Sequence, residues 1–303
     1  MLTPKMSVAQ LILPPSPYRE TNVPRKLAQP MLNSTLHELA MDFHEILYSV
    51  QERVATITLN RPEKLNAWTP VMEIKFEAAI RAASADEGIR SILVTGAGRG
   101  FCAGADLGLL KSLSKRSGAH ARPPRQQYLT RYSWMHEIPK PIIAAVNGPA
   151  VGLGCVIPLY CDIRLASPQA RFCAIFAKRG LIAEFGIAWI LPHLVGLGNA
   201  TDMLFTGRTV DAEEAVRMGL VSELLAEEDF PAHAWDFAHR MASTVSPRSI
   251  AVIKRQIYGA LNENLGAAIA TGFDEMMLSL ECEDFKEGVA HFLEKRPARF
   301  TGR

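Results

Sequence analysis

The chain has 303 residues, 48% of them hydrophobic, enough for a full core and for one large domain or two small ones. Its 33 basic and 31 acidic residues nearly cancel, so bulk charge argues against a nucleic acid or a membrane surface as partner, and any anionic ligand must be held locally. No apolar run approaches the roughly 20 residues of a membrane span, and five cysteines without CxxC spacing read as reduced core thiols, not metal ligands.

Residues 1–42 differ in composition from the rest of the chain. Six prolines fall in the first thirty positions, and Glu20 is the only acid before Glu38. That composition suits an appended arm, flexible or packed on the surface. The short run Val8–Leu13 leads into Pro14-Pro15 without a small-residue cleavage site, which fits a secretory signal poorly, and the prolines oppose the amphipathic helix of a transit peptide. Organelle targeting, or a true start at Met31 or Met41, stays open beside the arm. Without targeting, the reduced thiols place the protein in the cytoplasm.

From His44 strand-like and helix-like segments alternate. Within Leu47–Asn60, Val54, Thr56 and Thr58 alternate with Ala55, Ile57 and Leu59, and Arg61-Pro62 stops the strand. Over Pro70–Ala83 the residues Val71, Phe76, Ile80 and Ala83, with Met72 beside them, take helical spacing. Ser91–Thr95 is a short buried strand that ends at a glycine-rich turn; Pro141–Asn147 repeats the design, and Asp162–Ala166 adds a strand. Strand, glycine turn and helix in repetition predict an α/β layered core.

After Gly207 the pattern reads as purely helical. Asp211–Glu214 resembles a capping box, Ser246-Pro247 is a second helix start, and Ile250, Ile253, Ile257 and Leu261 form an apolar stripe. Residues 207–303 are therefore expected to form a helical region whose apolar faces can serve an oligomer as well as the chain's own core.

Two glycine turns stand out. In the first, GAGRGFCAGADL at 96–107, Phe101 occupies the place of the third glycine of a dinucleotide fingerprint, so that reading fails. What remains is Ala103-Gly104-Ala105 leading into a predicted helix from Asp106. The second, NGPAVGLG at 147–154, has the same place between strand and helix. Two helix starts with unpaired N–H groups could hold one developing negative charge. The alternative is that both are ordinary tight turns packing helix on strand.

The segments LNRPEKLNAW at 59–68, FCAGADL at 101–107, PIIAAVNGPAVGLG at 141–154, TGRTVDAEEAVRMGLV at 206–221 and FLEKRPARF at 292–300 resemble, in order, the crotonase superfamily of enoyl-CoA hydratases and isomerases. The resemblance runs from about residue 44 to the end. It implies an α/β fold, a spiral of ββα units over 43–206 with the CoA and acyl sites, and a helical C-terminal trimerisation region over 207–303, hence a homotrimer or hexamer. It also implies an acyl-CoA thioester as substrate, CoA being part of that substrate, with no separate cofactor or metal.

Matched motif by motif, the resemblance puts the thioester carbonyl on the backbone amides of Ala105 and Leu153. It implies CoA contacts at Glu63, Lys64, Leu65, Arg99, Ala103, Asp106 and Lys295. For Lys64, Arg99 and Lys295 a solvated surface charge is the alternative. Leu153 stands where the family usually has glycine, and its side chain should narrow or redirect an acyl pocket lined by Trp68, Val156, Phe176 and Trp189. For the two tryptophans a place in the core is the alternative.

Family hydratases position water with two glutamates, and the matching positions here are Val156 and Phe176, neither able to move a proton. Glu184 is the one residue between Leu181 and Leu191 that is neither apolar nor glycine. Its context, IAEFGIAWILP, resembles the segment in which peroxisomal-type Δ3,Δ2-enoyl-CoA isomerases keep a single catalytic glutamate. Glu184 is thus implied as acid and base of a double-bond shift, its pKa raised by apolar surroundings. Three alternatives stand: a hydratase in which Glu184 activates water, a catalytically weak acyl-CoA-binding protein, and a plain surface carboxylate or one paired with Lys178 or Arg179. His120, in SKRSGAHARPPRQ, reads as a solvated loop histidine, and Cys102 and Cys155 as small apolar fillers beside the turns.

Overall fold

The alternating residues 54–59 form a strand as expected, and residues 46–51 before them fold back as its hairpin partner. Strands β1 (Ile46–Gln51) and β2 (Val54–Leu59) pair antiparallel with Gln51 opposite Val54. Glu52 and Arg53 between them both have positive φ, 43° and 71°, as a two-residue turn needs to match the twist of its strands. Neither is Asn or Gly, so the turn has no compositional signature. The computed structural model describes residues 45–114 and 131–303. The arm at 1–42 and His120 lie outside the described residues.

Parallel pairing extends β2 through β3 (Ser91–Gly96), β4 (Ile142–Val146), β6 (Ile163–Ala166) and β9 (Glu223–Leu224) into one six-stranded sheet. A second sheet joins β5 (Pro149–Val151), β7 (Arg171–Cys173) and β8 (Thr209–Asp211). Strands β8 and β9 correct the expectation of a purely helical region after Gly207. They are too short for a period-2 pattern to show, yet they tie the start of the C-terminal third into both sheets.

Alternation along the strands sends side chains to two cores. Ala55, Ile57, Ile92, Val94, Ala144 and Val146 join the larger one, while Leu93, Ile143, Ala145 and Leu165 face the other way. The larger core is covered by α1 (Pro70–Ala85), capped by the Thr69 side chain on the Met72 amide. Its inner face is Met72, Phe76, Ala79, Ile80 and Ala83; Val71, placed on that stripe from sequence, is 49% exposed because Met72 takes the inward position. The opposite side of the sheet packs on Phe230, Ala234, Ala238 and Ala242.

Among the described residues the remaining α-helices are α2 (Leu107–Ser114), α3 (Leu153–Leu159), α4 (Ile187–Thr206), α5 (Ala212–Arg217), α6 (Phe230–Thr244), α7 (Pro247–Ala260), α8 (Leu265–Glu281) and α9 (Glu283–Glu294). At α5 half of the expected capping box forms. Asp211 accepts from the Glu214 amide at 2.8 Å, but the Glu214 carboxylate turns to Arg208, at 2.6 and 2.9 Å. A bidentate guanidinium partner outcompetes a backbone N–H. Ser246 caps α7 as expected, accepting from Ser249 N at 3.0 Å.

Buried charge fastens α7 to the core. Lys254 Nζ donates to Asp162 Oδ2 at 2.8 Å, with the two side chains 5% and 16% exposed. Asp162 also accepts from Tyr258 Oη at 2.9 Å and from Ile142 N at 2.7 Å. Removing one partner leaves the other charged and buried. Lys254→Met is therefore expected to cost about 3–5 kcal/mol of stability, measured by urea unfolding; a loss under about 1 kcal/mol would class the pair with solvent-exposed ones.

Candidate active site

Both glycine turns meet in a three-layer stack of backbone. The 3-10 turn Pro62–Lys64 is followed by Leu65 and Asn66, both left-handed, with φ of 50° and 55°. Asn66 is fully buried. It donates to the carbonyls of Ala97 and Gly100 at 2.9 and 2.8 Å and accepts from Arg61 N at 2.8 Å, fixing this turn to the loop after β3. The chain then runs beside that loop. Leu65 O accepts from Ala103 N (2.9 Å), Trp68 N donates to Gly104 O (2.7 Å), and Asp106 N donates to Trp68 O (2.9 Å).

That pairing brackets Ala105. In a parallel bridge the bracketed residue turns its own N–H and C=O away from its partner, and no described hydrogen bond uses the Ala105 amide. On the far side of the loop, Val151 N donates to Cys102 O at 2.9 Å. The approach there is too close for side chains. A Cβ on Gly104, whose φ is +93°, would lie 2.7 Å from Val151 O, and one on Gly154 would lie 2.0 Å from Cys102 O. Leu153 opens α3 after Gly152, so its amide precedes the first intrahelical bond and is likewise in no described hydrogen bond. Each turn thus leaves one backbone amide, that of Ala105 and that of Leu153, outside the described hydrogen bonds.

Glu184 comes after a tight loop. Phe176 O accepts from Arg179 N and Leu181 N, at 2.9 and 3.0 Å, and Glu184 O accepts from Ile187 N at 3.1 Å as α4 begins. Its carboxylate is partly buried and takes part in no described hydrogen bond or ion pair, with Lys178 and Arg179 or with any other residue. The cation it feels is Arg131. Burial pushes the Glu184 carboxyl above its ordinary range, and the Arg131 guanidinium pulls it the other way. Arg131 is itself held by both Glu73 oxygens at 2.8 Å and lies 4.9 Å over the Phe185 ring.

This opposition fixes the sign of a titration. Arg131→Gln removes the charge that opposes desolvation, so the Glu184 carboxyl should titrate at a higher pH than in the wild type. The side-chain resonance of 13C-labelled glutamate reads this directly; an unmoved or lowered midpoint would show that Arg131 does not act on the carboxylate.

The other expected site residues are spread differently. Leu153, Trp68, Val156 and Phe176 all lie in the larger core, with Trp68 edge-on to Phe76 at 5.3 Å. Trp189 is 41% exposed on α4 and leans on His193 at 4.4 Å. Glu63, Lys64 and Arg99 are exposed on the first two layers of the stack, where Leu65 and Ala103 are joined by their backbone bond. The Asp106 carboxylate is committed locally: it caps α2 through Gly108 N at 2.8 Å and pairs with Arg61 at 3.1 Å, which together hold its pKa down. Lys295 is the exposed, left-handed C-cap of α9, and no described contact joins it to either turn.

The sequence reading missed Asn66 and Arg131 as site-building residues. Asn66 sits inside LNRPEKLNAW and could have been found as a polar residue within a turn motif. The cysteines behave as fillers: burial pushes the Cys102 and Cys155 thiols up to about 12. Among the described residues no cluster of His, Cys, Asp and Glu is arranged to hold a metal, and no helix is long and apolar enough to cross a membrane.

The same architecture is found in solved structures. A putative enoyl-CoA hydratase from Streptomyces coelicolor A3(2) superposes with a TM-score of 0.78 at 31% identity, covering 95% of this chain and 100% of the other. Among curated proteins, a probable enoyl-CoA hydratase from Rhodobacter capsulatus is 36% identical over 265 residues, 87% of this chain and 100% of the relative. The 1,2-epoxyphenylacetyl-CoA isomerase of Escherichia coli K12 is 34% identical over 265 residues, 85% and 98% of the two chains. Residues 49–303 match the family described as enoyl-CoA hydratase/isomerase. The fold and its helical C-terminal region are those of the crotonase-type enzymes. The chain belongs to the enoyl-CoA hydratase/isomerase family.

Proposed function

We propose that the protein shifts the double bond of an enoyl-CoA thioester, with Glu184 as both base and acid. The observation that carries this reading is the Glu184 carboxylate, partly buried and in no described ion pair, while Val156 and Phe176, which the resemblance matches to the two hydratase glutamates, are buried and apolar. Glu184 takes a proton from C2 of a 3-enoyl thioester. The C–H electron pair moves into the carbonyl, making a dienolate whose oxygen accepts hydrogen bonds from the Ala105 and Leu153 amides. The protonated Glu184 then returns the proton at C4, and the double bond closes between C2 and C3.

In this reading the CoA portion runs along Glu63, Lys64 and Leu65 and the loop from Arg99 through Ala103. Lys64 and Arg99, exposed and without a described partner, are free for its phosphates. Asp106 contributes shape and not free charge, since Arg61 and the α2 start already use its carboxylate. Trp68, Val156 and Phe176 bound the acyl chain, with Leu153 narrowing the space beside the oxyanion. A relative being an isomerase of an acyl-CoA supports the assignment; others carry the name hydratase.

The deciding experiment is to incubate the enzyme with a 3-enoyl-CoA and with a 2-enoyl-CoA and identify the products. Conversion of the first to the conjugated ester supports the isomerase. A 3-hydroxyacyl product from the second, without migration in the first, overturns it in favour of water addition.

We further infer a cytoplasmic homotrimer or hexamer built on the C-terminal helices. Ile253 and Ile257 on α7, Ile269 and Phe273 on α8 and Phe292 on α9 are each more than half exposed, between 51% and 77%. Apolar surface of that extent suits a subunit interface. Light scattering gives the stoichiometry.

A further inference from the structure

The helix that starts the oxyanion site also ends at the base. Helix α3 presents the Leu153 amide at its first residue and stops at Tyr160, its C-cap. Seven residues at 1.5 Å each span about 10 Å, and the tyrosine ring adds its own length. Tyr160 is 7% exposed, and its hydroxyl donates to the carbonyl of Phe185 at 2.6 Å. Phe185 is the residue after Glu184.

The backbone at that point is unusual. Phe185 is a non-glycine residue in the left-handed region, φ 56°, followed by Gly186 at φ 73°. A bulky residue there costs energy and persists only where its surroundings hold it. Gly186 has no side-chain cap to set the start of α4. Its missing Cβ leaves room for the tyrosine: a methyl group at Gly186 would sit 2.6 Å from the Tyr160 hydroxyl. The Phe185 ring is clamped as well, edge-on to Tyr132 at 5.5 Å and under the Arg131 guanidinium. Tyr160 in turn packs against Tyr132 at 6.1 Å and His136 at 5.3 Å.

We propose that Tyr160 is the positioning residue for Glu184: its hydroxyl holds the left-handed Phe185–Gly186 turn, and so fixes the backbone from which the carboxylate projects relative to the α3 amide. This rests on Glu184 being the proton-transfer group. Because one short helix carries both the Leu153 amide and the tyrosine, base and oxyanion donor are held in one frame. Proton transfer depends steeply on such geometry, whereas CoA-ester binding, made elsewhere on the stack, does not.

The test is a double-mutant cycle on enoyl-CoA isomerisation with Tyr160→Phe, Glu184→Gln and the double variant of the full chain. Tyr160→Phe should lower kcat about 10- to 100-fold with KM little changed, as expected when only the reacting geometry is lost. In the Glu184→Gln background the same change should have no further effect, because the group it positions is already gone. Gly186→Ala, which pushes the same contact apart from the other side, should give the same kcat-only loss and serves if Tyr160→Phe does not fold. Wild-type kcat in Tyr160→Phe, or an equal loss in both backgrounds, overturns the positioning role while leaving Glu184 as the base. Wild-type turnover in Glu184→Gln overturns the underlying reading, and the positioning role with it.

Discussion

Replacing Glu184 with Gln is expected to lower kcat for double-bond migration by about 100- to 10,000-fold, the usual contribution of one positioned acid–base group, with KM for the CoA ester little changed. Gln keeps the shape and the polarity of the side chain but cannot carry a proton between two carbons. A fall in kcat and kcat/KM together, with KM held, marks the loss of an interaction made only during the reaction.

Stability separates this from misfolding. Burial raises the Glu184 pKa in the folded state, so by linkage the wild type is favoured below the unfolded carboxylate pKa and loses that contribution as pH rises through the raised value. The neutral variant has no such loss. At neutral pH its Tm should be equal to or above that of the wild type, and an inactive variant with unaltered or higher Tm and intact ligand binding assigns the defect to chemistry. Undiminished turnover would remove Glu184 from the mechanism.

What could be read from the sequence was whatever local backbone geometry demands. The two glycine turns were legible because a Cβ at Gly154 or Gly104 would lie only 2.0 or 2.7 Å from a backbone carbonyl oxygen, and the strands before them because a sheet covered on both faces requires the near-continuous apolar runs SILVT and PIIAAV. The cap at Ser246 was legible for the same local reason.

The rest is set by partners distant in sequence. Nothing in EFGIAW announces Tyr160 or Arg131 as neighbours, and nothing in DAEE says that Arg208 draws Glu214 off its capping role. Strands β8 and β9 gain their hydrogen bonds from β7 and β6, not from a pattern of their own. For Trp189 the alternative of a place in the core falls, since the ring is 41% exposed on α4 although its neighbours in sequence are apolar.

Gly104→Ala carries the second large effect, an expected fall in kcat of about 100- to 1000-fold, comparable to losing one oxyanion donor. Two causes act together. The residue holds φ +93°, which an L side chain rarely adopts, and its new Cβ would be 2.7 Å from the carbonyl oxygen of Val151. That oxygen belongs to backbone at the lip of the second turn and cannot rotate aside as a side chain would. The strain must be relieved by moving the 103–105 loop away from the 151–153 loop, which in the proposed oxyanion site carries the Ala105 amide away from the oxygen that the Leu153 amide also serves. A displacement on the order of 1 Å is enough to lose a hydrogen bond made to a developing charge. Gly198→Ala is the matched control, since a Cβ there meets nothing within 4 Å, and it should leave turnover as it was. If Gly104→Ala instead lowers Tm while kcat in the surviving folded enzyme matches the control, the Ala105 amide is not a donor to the reacting oxygen, and the convergence of the two turns serves packing alone.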